Sequence, residues 1–301
     1  IYESMLCISC IGGGCGANFK NSLHNCGRSF KLAECWKGKN MKFIYCGDVV
    51  GRAGRDAVLK NLPVMRQKYK PDAIVVNAEN AAHGFGVTPG ICREFFAAGV
   101  DAIVTGNHVW NQKEIIPFLD DCQKIIRPLN FPLGTVGRGS CEIELASGRK
   151  LAVVQVMGRV FMEALDCPAQ AMENWLKTYR LGGNVSAILV DIHAEATAEK
   201  QSLGYYLDGR VSAVAGTHTH VPTSDCRILP KGTAYITDVG MCGDYNSVLG
   251  FEPEEPVRRL CRKYPSERLT PAKREGTVYG ILVTTDDNTG LATAIEQIIC
   301  R

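Results

Sequence analysis

The chain reads as an α/β protein, and three features carry that expectation. Short apolar runs alternate with helical patterns through the first half. The second half is richer in strands. Residues able to bind metals recur just beyond the apolar runs. Strand, ligand-bearing turn, helix is a βαβ rhythm, which implies parallel strands joined by right-handed crossovers. With no internal repeat and no long linker after residue 40, residues 41–301 are expected to form one domain.

The elements follow in order. Phe43–Cys46 is a short apolar strand that ends at Gly47-Asp48. Val58, Leu59, Leu62 and Met65 recur at three and four within 55–69, and Pro71 stops that helix. Ala73–Val76 is the second strand, closed by Asn77-Ala-Glu79-Asn80, and a helix over 89–98 follows. Ala102–Thr105 is the third strand, ending in Gly106-Asn107-His108 before a helix over 112–122. Glu142–Leu145 and Leu151–Val156 flank Ser147-Gly148 as a hairpin. A helix over 169–180, a strand at Ala187–Val190 and a helix over 196–207 come next. Val211–Ala215 feeds Gly216-Thr-His218-Thr-His220, with Gly216 read as the turn. Strands at Gly232–Thr237, Thr277–Thr285 and Leu291–Ile298 complete the chain.

Residues 1–40 read differently, being rich in Gly, Ser, Asn and Cys without helical or strand period. Cys7-x-x-Cys10 with Cys15 and Cys26 invites a zinc site, but the spacing matches no common knuckle and His24 would have to be recruited. The expectation is a disordered extension, or an artefact of where the chain was taken to begin. Met41 is read as the natural start of the folded domain.

Composition narrows the class. Hydrophobic residues make up 46% and charged residues 22%, ordinary for a globular protein with a sizeable core. A net charge of +3 over 301 residues does not argue for a stable nucleic-acid complex or a membrane surface. No run approaches the ~18 apolar residues of a membrane span. Nine of the fourteen cysteines lie beyond residue 40, mostly singly within apolar runs. That distribution suits small buried hydrophobes in a reducing compartment, and with no secretory pattern the protein is expected to be cytoplasmic.

The turns carry the chemistry. In an extended segment residues two apart face one side, so His218 and His220 can address one pocket, serving one metal or two adjacent ones. Asp48, Glu79, Asn80, Asn107, His108 and His193 also fall just beyond apolar runs, where open α/β sheets collect function. Carboxylates, imidazoles and amide oxygens suit iron, manganese or zinc. Eight candidates are too many for one tetrahedral ion and suit two, the arrangement used for displacement at phosphorus. No cysteine sits in these turns, which argues against a thiolate-rich structural zinc site. His83, in a Gly-rich stretch, is read as a loop histidine. Arg52 or Arg55 is in place to reach a phosphate or to begin a solvated helix. The glycines at 47, 51 and 54 do not match the dinucleotide fingerprint.

These motifs, in this order, resemble those of the calcineurin-like metallophosphoesterases, and more closely the bacterial YmdB-type branch. The matching stretches include Gly47-Asp-Val-Val-Gly, Asn77-Ala-Glu-Asn-Ala-Ala82, Thr105-Gly-Asn-His108, Arg127-Pro-x-Asn-Phe-Pro132, Val190-Asp-Ile-His-Ala-Glu-Ala-Thr197, Ala215-Gly-Thr-His-Thr-His-Val-Pro-Thr223 and Thr237-Asp-Val-Gly-Met241. They span 41–298 and leave out 1–40. The broad superfamily has Asp-x-His first and a bridging Asp second. Here Asp48-Val-Val50 and Glu79 stand instead, as in the YmdB-type pattern.

The resemblance implies two mixed β-sheets sandwiched together and flanked by helices. It implies Asp48, Asn80 and His220 on one metal, Asn107, His193 and His218 on the other, and Glu79 bridging them. It implies iron, with manganese fitting the same ligands, and leaves His108 as proton donor to the leaving oxygen or as an orienting neighbour. The implied activity is metal-dependent phosphodiester hydrolysis of 2′,3′-cyclic nucleotides by metal-activated hydroxide. Short RNA is a further substrate candidate, and a homo-oligomer is compatible. The rival readings are a phosphomonoesterase or nuclease with the same metals, and a metal-binding regulatory protein with incidental activity.

Overall fold

The computed structural model describes residues 40–265 and 267–301. The expectations for the N-terminal extension and its zinc site fall outside the described residues. In chain order the first half holds β1 (Met41–Cys46), β2 (Asp48–Val49), α1 (Gly51–Tyr69), β3 (Ala73–Asn77), α2 (Pro89–Ala97), β4 (Ala102–Val104), α3 (Ile115–Asp121), β5 (Ile125–Ile126), β6 (Ser140–Glu144) and β7 (Lys150–Met157). The second half holds α4 (Pro168–Leu176), β8 (Ala187–His193), α5 (Thr197–Leu207), β9 (Ala213–Thr217), β10 (Arg227–Ile228), β11 (Ala234–Ile236), β12 (Met241–Cys242), α6 (Glu254–Arg262), β13 (Val278–Thr285) and β14 (Ala292–Cys300).

Two six-stranded mixed sheets form, in the orders β14-β13-β1-β3-β4-β5 and β10-β11-β9-β8-β7-β6. Within them β1, β3, β4 and β5 run parallel, as do β7, β8, β9 and β11. Side-chain alternation sorts these strands into layers. Phe43, Tyr45 and Val75 of the first sheet meet Val153, Leu189 and Ala215 of the second in a central core. Ile44, Cys46, Ile74 and Val76 turn the other way, against Val58, Leu62, Met65 and Phe95 of α1 and α2. Ile188, Val190 and Ile192 likewise meet Met172 and Trp175 of α4 and Leu203 and Leu207 of α5. The fold is the four-layer α/β/β/α sandwich expected, and its strands read as continuous apolar runs because both faces are covered.

Several elements differ from the sequence expectation. Helix α1 begins at Gly51, four residues before the range 55–69 expected for it. Its first turn is pinned by close approach, since a Cβ on Gly54 would lie 2.2 Å from the Cys242 carbonyl oxygen. Pro63 sits inside α1 on its exposed face. Helices α3 and α4 are shorter than the ranges read for them. Helix α6 carried no apolar period and went unread. Its only buried residue is Glu255, which pairs with Arg258 and Arg259 one turn on. Acids in its first turn and arginines in its last favour the helix electrostatically. Strands β2, β5, β10 and β12 are two residues each, too short to show a period.

All nine described cysteines are free thiols, and Cys46, Cys92, Cys141 and Cys242 are buried as small hydrophobes. Among the described residues no helix is long and apolar enough to cross a membrane. The carboxyl ends of β1, β3 and β4 and those of β8 and β9 meet at one place, where His193 Nε2 stands 2.8 Å from Asn107 Oδ1.

Candidate metal centre

Each predicted ligand is placed by the end of a strand. Asp48 lies in β2, which pairs in parallel with Met241 and Cys242 of β12. Asn80 is held by a parallel bridge to Val50. His193 is the last residue of β8 rather than part of the following turn. Asp48, Glu79, Asn80, His193 and His220 are buried, while Asn107, His108 and His218 are half-buried.

His218 and His220 do not face the site for the reason the sequence suggested. Strand β9 ends at Thr217, and the two histidines have φ of 95° and 63°, so the segment is bent rather than extended. Left-handed backbone at two non-glycine residues is strained, and strain of this kind collects at functional sites. Gly216 is not the turn either. It lies within β9, where a Cβ would come 1.8 Å from the Thr237 carbonyl oxygen.

The ligand atoms form two groups that share one residue. Glu79, His193 and His218 offer atoms within 4.8 Å of one another, and so do Asp48, Glu79 and His220. Around His193 Nε2 stand Asn107 Oδ1 at 2.8 Å, Glu79 Oε2 at 2.9 Å and His218 Nδ1 at 3.1 Å. One ring nitrogen has a single hydrogen or a single lone pair, so it cannot satisfy three neighbours. Atoms sharing an ion at bonds of ~2.1 Å lie about 3 Å apart, which is the spacing seen. Glu79 Oε2 and Asn80 Oδ1 are buried without a hydrogen bond of acceptable geometry. Buried polar atoms are rarely left so, and a cation accounts for both.

Neighbouring groups set which histidine nitrogen carries the proton. His220 Nδ1 is 2.9 Å from the Leu249 carbonyl oxygen, which can only accept, so Nδ1 carries the hydrogen and Nε2 the lone pair. The Thr217 hydroxyl donates to Asp191 Oδ1 at 2.8 Å, and its oxygen accepts from His193 Nδ1 at 2.9 Å. His193 Nε2 is thereby left with its lone pair toward the other ligands. The Gln155 amide holds the second oxygen of Asp191. On His218, Glu195 lies 3.4 Å from Nε2, leaving Nδ1 toward His193. Such partners fix ring orientation and ligand basicity in metal sites.

The electrostatics agree with a site built for cations. Burial and the nearby Glu79 push the Asp48 carboxyl well above the ordinary carboxylate range. Burial alone would also raise Glu79, but positive charge beside it holds the carboxyl down, a charge that His193 carries only when both of its ring nitrogens are protonated. Burial takes His218 down to about 3 and lowers His220. Both are thus kept in the neutral form that binds metal. Two buried carboxylates, three imidazoles and two amide oxygens are donors of the kind that suit divalent metal ions.

The cleft above these residues has a volume of about 390 Å³, with Phe85, His108, Leu249 and Phe251 in its walls. His108 stands edge-on to Phe85, and its Nδ1 is 3.1 Å from Asn111 Oδ1. Neither Arg52 nor Arg55 lines this cleft. Arg55 binds the Ala81 carbonyl, and both arginines line a neighbouring hollow with the exposed His83.

Some participants were not singled out from the sequence. Asn77 donates to Asp48 Oδ1 at 2.7 Å and accepts from the Glu79 backbone N–H, so one amide ties the Asp48 carboxylate to the main chain of Glu79. Its signal was available, a polar residue ending an apolar strand two before the glutamate. Asp191 was likewise visible as a charge within Ala187–His193, on the same strand face as His193. The Leu249 carbonyl had no sequence signal, being backbone 29 residues away from His220.

A family model described as YmdB-like protein matches residues 44–298. A Bacillus subtilis (strain 168) protein named 2′,3′-cyclic-nucleotide 2′-phosphodiesterase is 46% identical over 259 residues, covering 86% of this chain and 97% of that protein. The crystal structure of a novel phosphatase from Mycoplasma pneumoniae matches with a TM-score of 0.81 and 34% identity, over 87% of this chain and 94% of its own. The crystal structure of a hypothetical protein from Thermus thermophilus matches with a TM-score of 0.80 and 41% identity, over 86% and 99%.

Proposed function

Because the chain belongs to the YmdB-like protein family, we propose that it is a metal-dependent phosphodiesterase that opens 2′,3′-cyclic nucleotides. The single observation that supports the reading is Glu79 standing in both candidate ligand groups, as a carboxylate shared by two ions would. A bound pair of divalent ions supplies Lewis acidity toward phosphoryl oxygens and hydroxide near neutral pH. Asp48, Asn80 and His220 would hold one ion, and Asn107, His193 and His218 the other, with Glu79 between them. Iron or manganese suits this mix of oxygen and imidazole donors.

The chain's own residues do the remaining work. Phe85 and Phe251, stacked 5.3 Å apart, form an apolar wall for the nucleoside. His108, in the cleft and outside both ligand groups, protonates the departing ribose oxygen. Asn111 holds its ring through Nδ1, leaving Nε2 for the substrate.

The test is hydrolysis of 2′,3′-cyclic AMP by protein reloaded with manganese, with 3′,5′-cyclic AMP and AMP alongside. Turnover of the 2′,3′ ring with little on AMP is the expected result. No turnover of any of the three by protein shown to hold its metals would overturn the reading.

A further inference from the structure

The cleft over the metal ligands does not end at its own rim. It shares Phe85, Arg259 and Leu269 with a second hollow, and that hollow shares His83, Thr270 and Pro271 with a third. The result is one groove running away from the ligands. The two outer hollows, of about 720 and 850 Å³, are each larger than the cleft itself. A single nucleotide has no use for that extra length.

The groove is cationic. Seven Arg and Lys side chains line its outer hollows against two carboxylates, Asp56 and Glu275. Lys60, Arg259 and Arg274 are committed to Glu275, Glu255 and the pair Asp244 and Glu252. Arg52, Arg55, Arg268 and Lys273 form no ion pair among the described residues. Unpaired cations along a groove that begins at a phosphoester site are the electrostatic footprint of a polyanion backbone.

The chemistry of the substrate then narrows the polyanion. A 2′,3′-cyclic phosphate needs a ribose 2′-oxygen, so DNA cannot carry it, and a strand can carry it only at its 3′ end. The rest of such a strand hangs from the 5′ oxygen and leaves the site in one direction, as the groove does. We propose that this site acts on the 2′,3′-cyclic phosphate end of an RNA strand, whose upstream phosphates lie along Arg268, Arg55, Arg52 and Lys273. The proposal rests on the phosphodiesterase reading and extends it to a substrate class. In the reaction, hydroxide from water bonds to phosphorus and the bond from phosphorus to the 2′ oxygen breaks. The proton goes to that oxygen, and the strand keeps a 3′-phosphomonoester. The reaction that supplies the substrate is RNA cleavage by attack of a 2′-hydroxyl on its own neighbouring phosphodiester, which leaves a 5′-hydroxyl on the other fragment.

The test compares 2′,3′-cyclic AMP with a tetra-adenylate ending in a 2′,3′-cyclic phosphate, using manganese-loaded protein. Binding of a 5′-fluorescein tetra-adenylate with a 3′-phosphate is followed by anisotropy, which needs no turnover. The tetramer is expected to show kcat/KM at least tenfold above the mononucleotide. With three phosphates contacted, its affinity should fall about 20-fold between 50 and 200 mM salt, following the slope of roughly −0.7 per contact for single strands. A variant carrying Arg52→Glu, Arg268→Glu and Lys273→Glu should lose the tetramer advantage in both assays and keep its rate on 2′,3′-cyclic AMP. Hydrolysis of the mononucleotide with no gain for the tetramer, or a variant indistinguishable from the parent, would overturn this proposal alone. No turnover of either cyclic substrate by metal-loaded protein would overturn the phosphodiesterase reading and this proposal with it.

Discussion

The hydroxyl of Thr217 lies 2.9 Å from His193 Nδ1, and its one hydrogen is given to Asp191 Oδ1 at 2.8 Å. A buried carboxylate thus decides, through one hydroxyl, which nitrogen of His193 faces the ligand cluster. Thr217→Val keeps the shape and removes the relay. Metal affinity is expected to fall about 10–100-fold, as when such orienting partners are lost elsewhere. Chelator competition reads it, and Thr217→Ser should restore most of the loss. Unchanged affinity in the Val variant would show that the relay has no part in metal binding.

Glu79 and His108 should separate cleanly. Glu79→Ala removes the residue common to both ligand groups. Metal content by mass spectrometry should drop close to zero, and activity with it. His108→Ala should keep its metals and lose rate by roughly 10²–10⁴-fold, the range for a general acid. A His108→Ala protein that comes out metal-free would make His108 a ligand and sink its assignment as proton donor.

Gly106 is required by contact as well as by backbone. Its φ is 131°, and a Cβ there would stand 1.9 Å from Glu79 Oε2. Gly106→Ala is expected to displace Glu79, lower metal content and cost about 1–3 kcal/mol through the backbone alone. Urea unfolding and metal analysis together check it. A variant with full metal content and parental stability would show that the turn adjusts without disturbing the glutamate.

Lys200 and Asp238 form a buried ion pair 2.8 Å long beneath the bent segment that carries His218 and His220. Asp238 also accepts from the Thr219 backbone N–H, the Thr219 hydroxyl and the Gly240 N–H. Lys200→Met would leave that carboxylate charged, buried and without a counter-ion. Breaking one side of such a pair costs about 3–5 kcal/mol. A loss below about 1 kcal/mol in chemical denaturation would mean that the three remaining donors suffice.

Asp225 ties the loop after His220 to Thr237 at the end of the second sheet. Burial would raise its carboxyl, but hydrogen bonds from Thr223 and Thr237 outweigh burial and hold it below its ordinary value. A carboxyl depressed in the folded state adds stability above its unfolded pKa, near 3.9, and loses it as pH falls through the folded value. Asp225→Ala should therefore destabilise more at about pH 7 than at about pH 2. Urea midpoints measured at both pH values test this, and an equal loss at the two would refute it.

Much of the molecule was legible because local signals agree with the fold. The continuous apolar runs of β1, β3, β8 and β9 mark strands covered on both faces, and each predicted ligand follows or ends such a run. Residue type and order were therefore enough to single out eight candidate residues at strand ends, and the resemblance they carry supplied the two-sheet architecture. What hid α6 is equally physical. Its stability comes from charge pairs and helix-end electrostatics rather than from an apolar stripe.

The sequence by itself determined the layers, the strand ends and the kinds of ligand, because these depend on periodicity and side-chain chemistry. Only the tertiary structure decided how His218 and His220 share one pocket, since left-handed backbone there replaces the extended geometry that the spacing suggested. It also decided which nitrogen of each histidine is free. That depends on Leu249, Thr217 and Glu195, and the Leu249 carbonyl comes near His220 only when the chain is folded. The cationic groove is of the same kind. Arg52 and Lys273 are more than 200 residues apart in sequence, and folding brings them to one hollow.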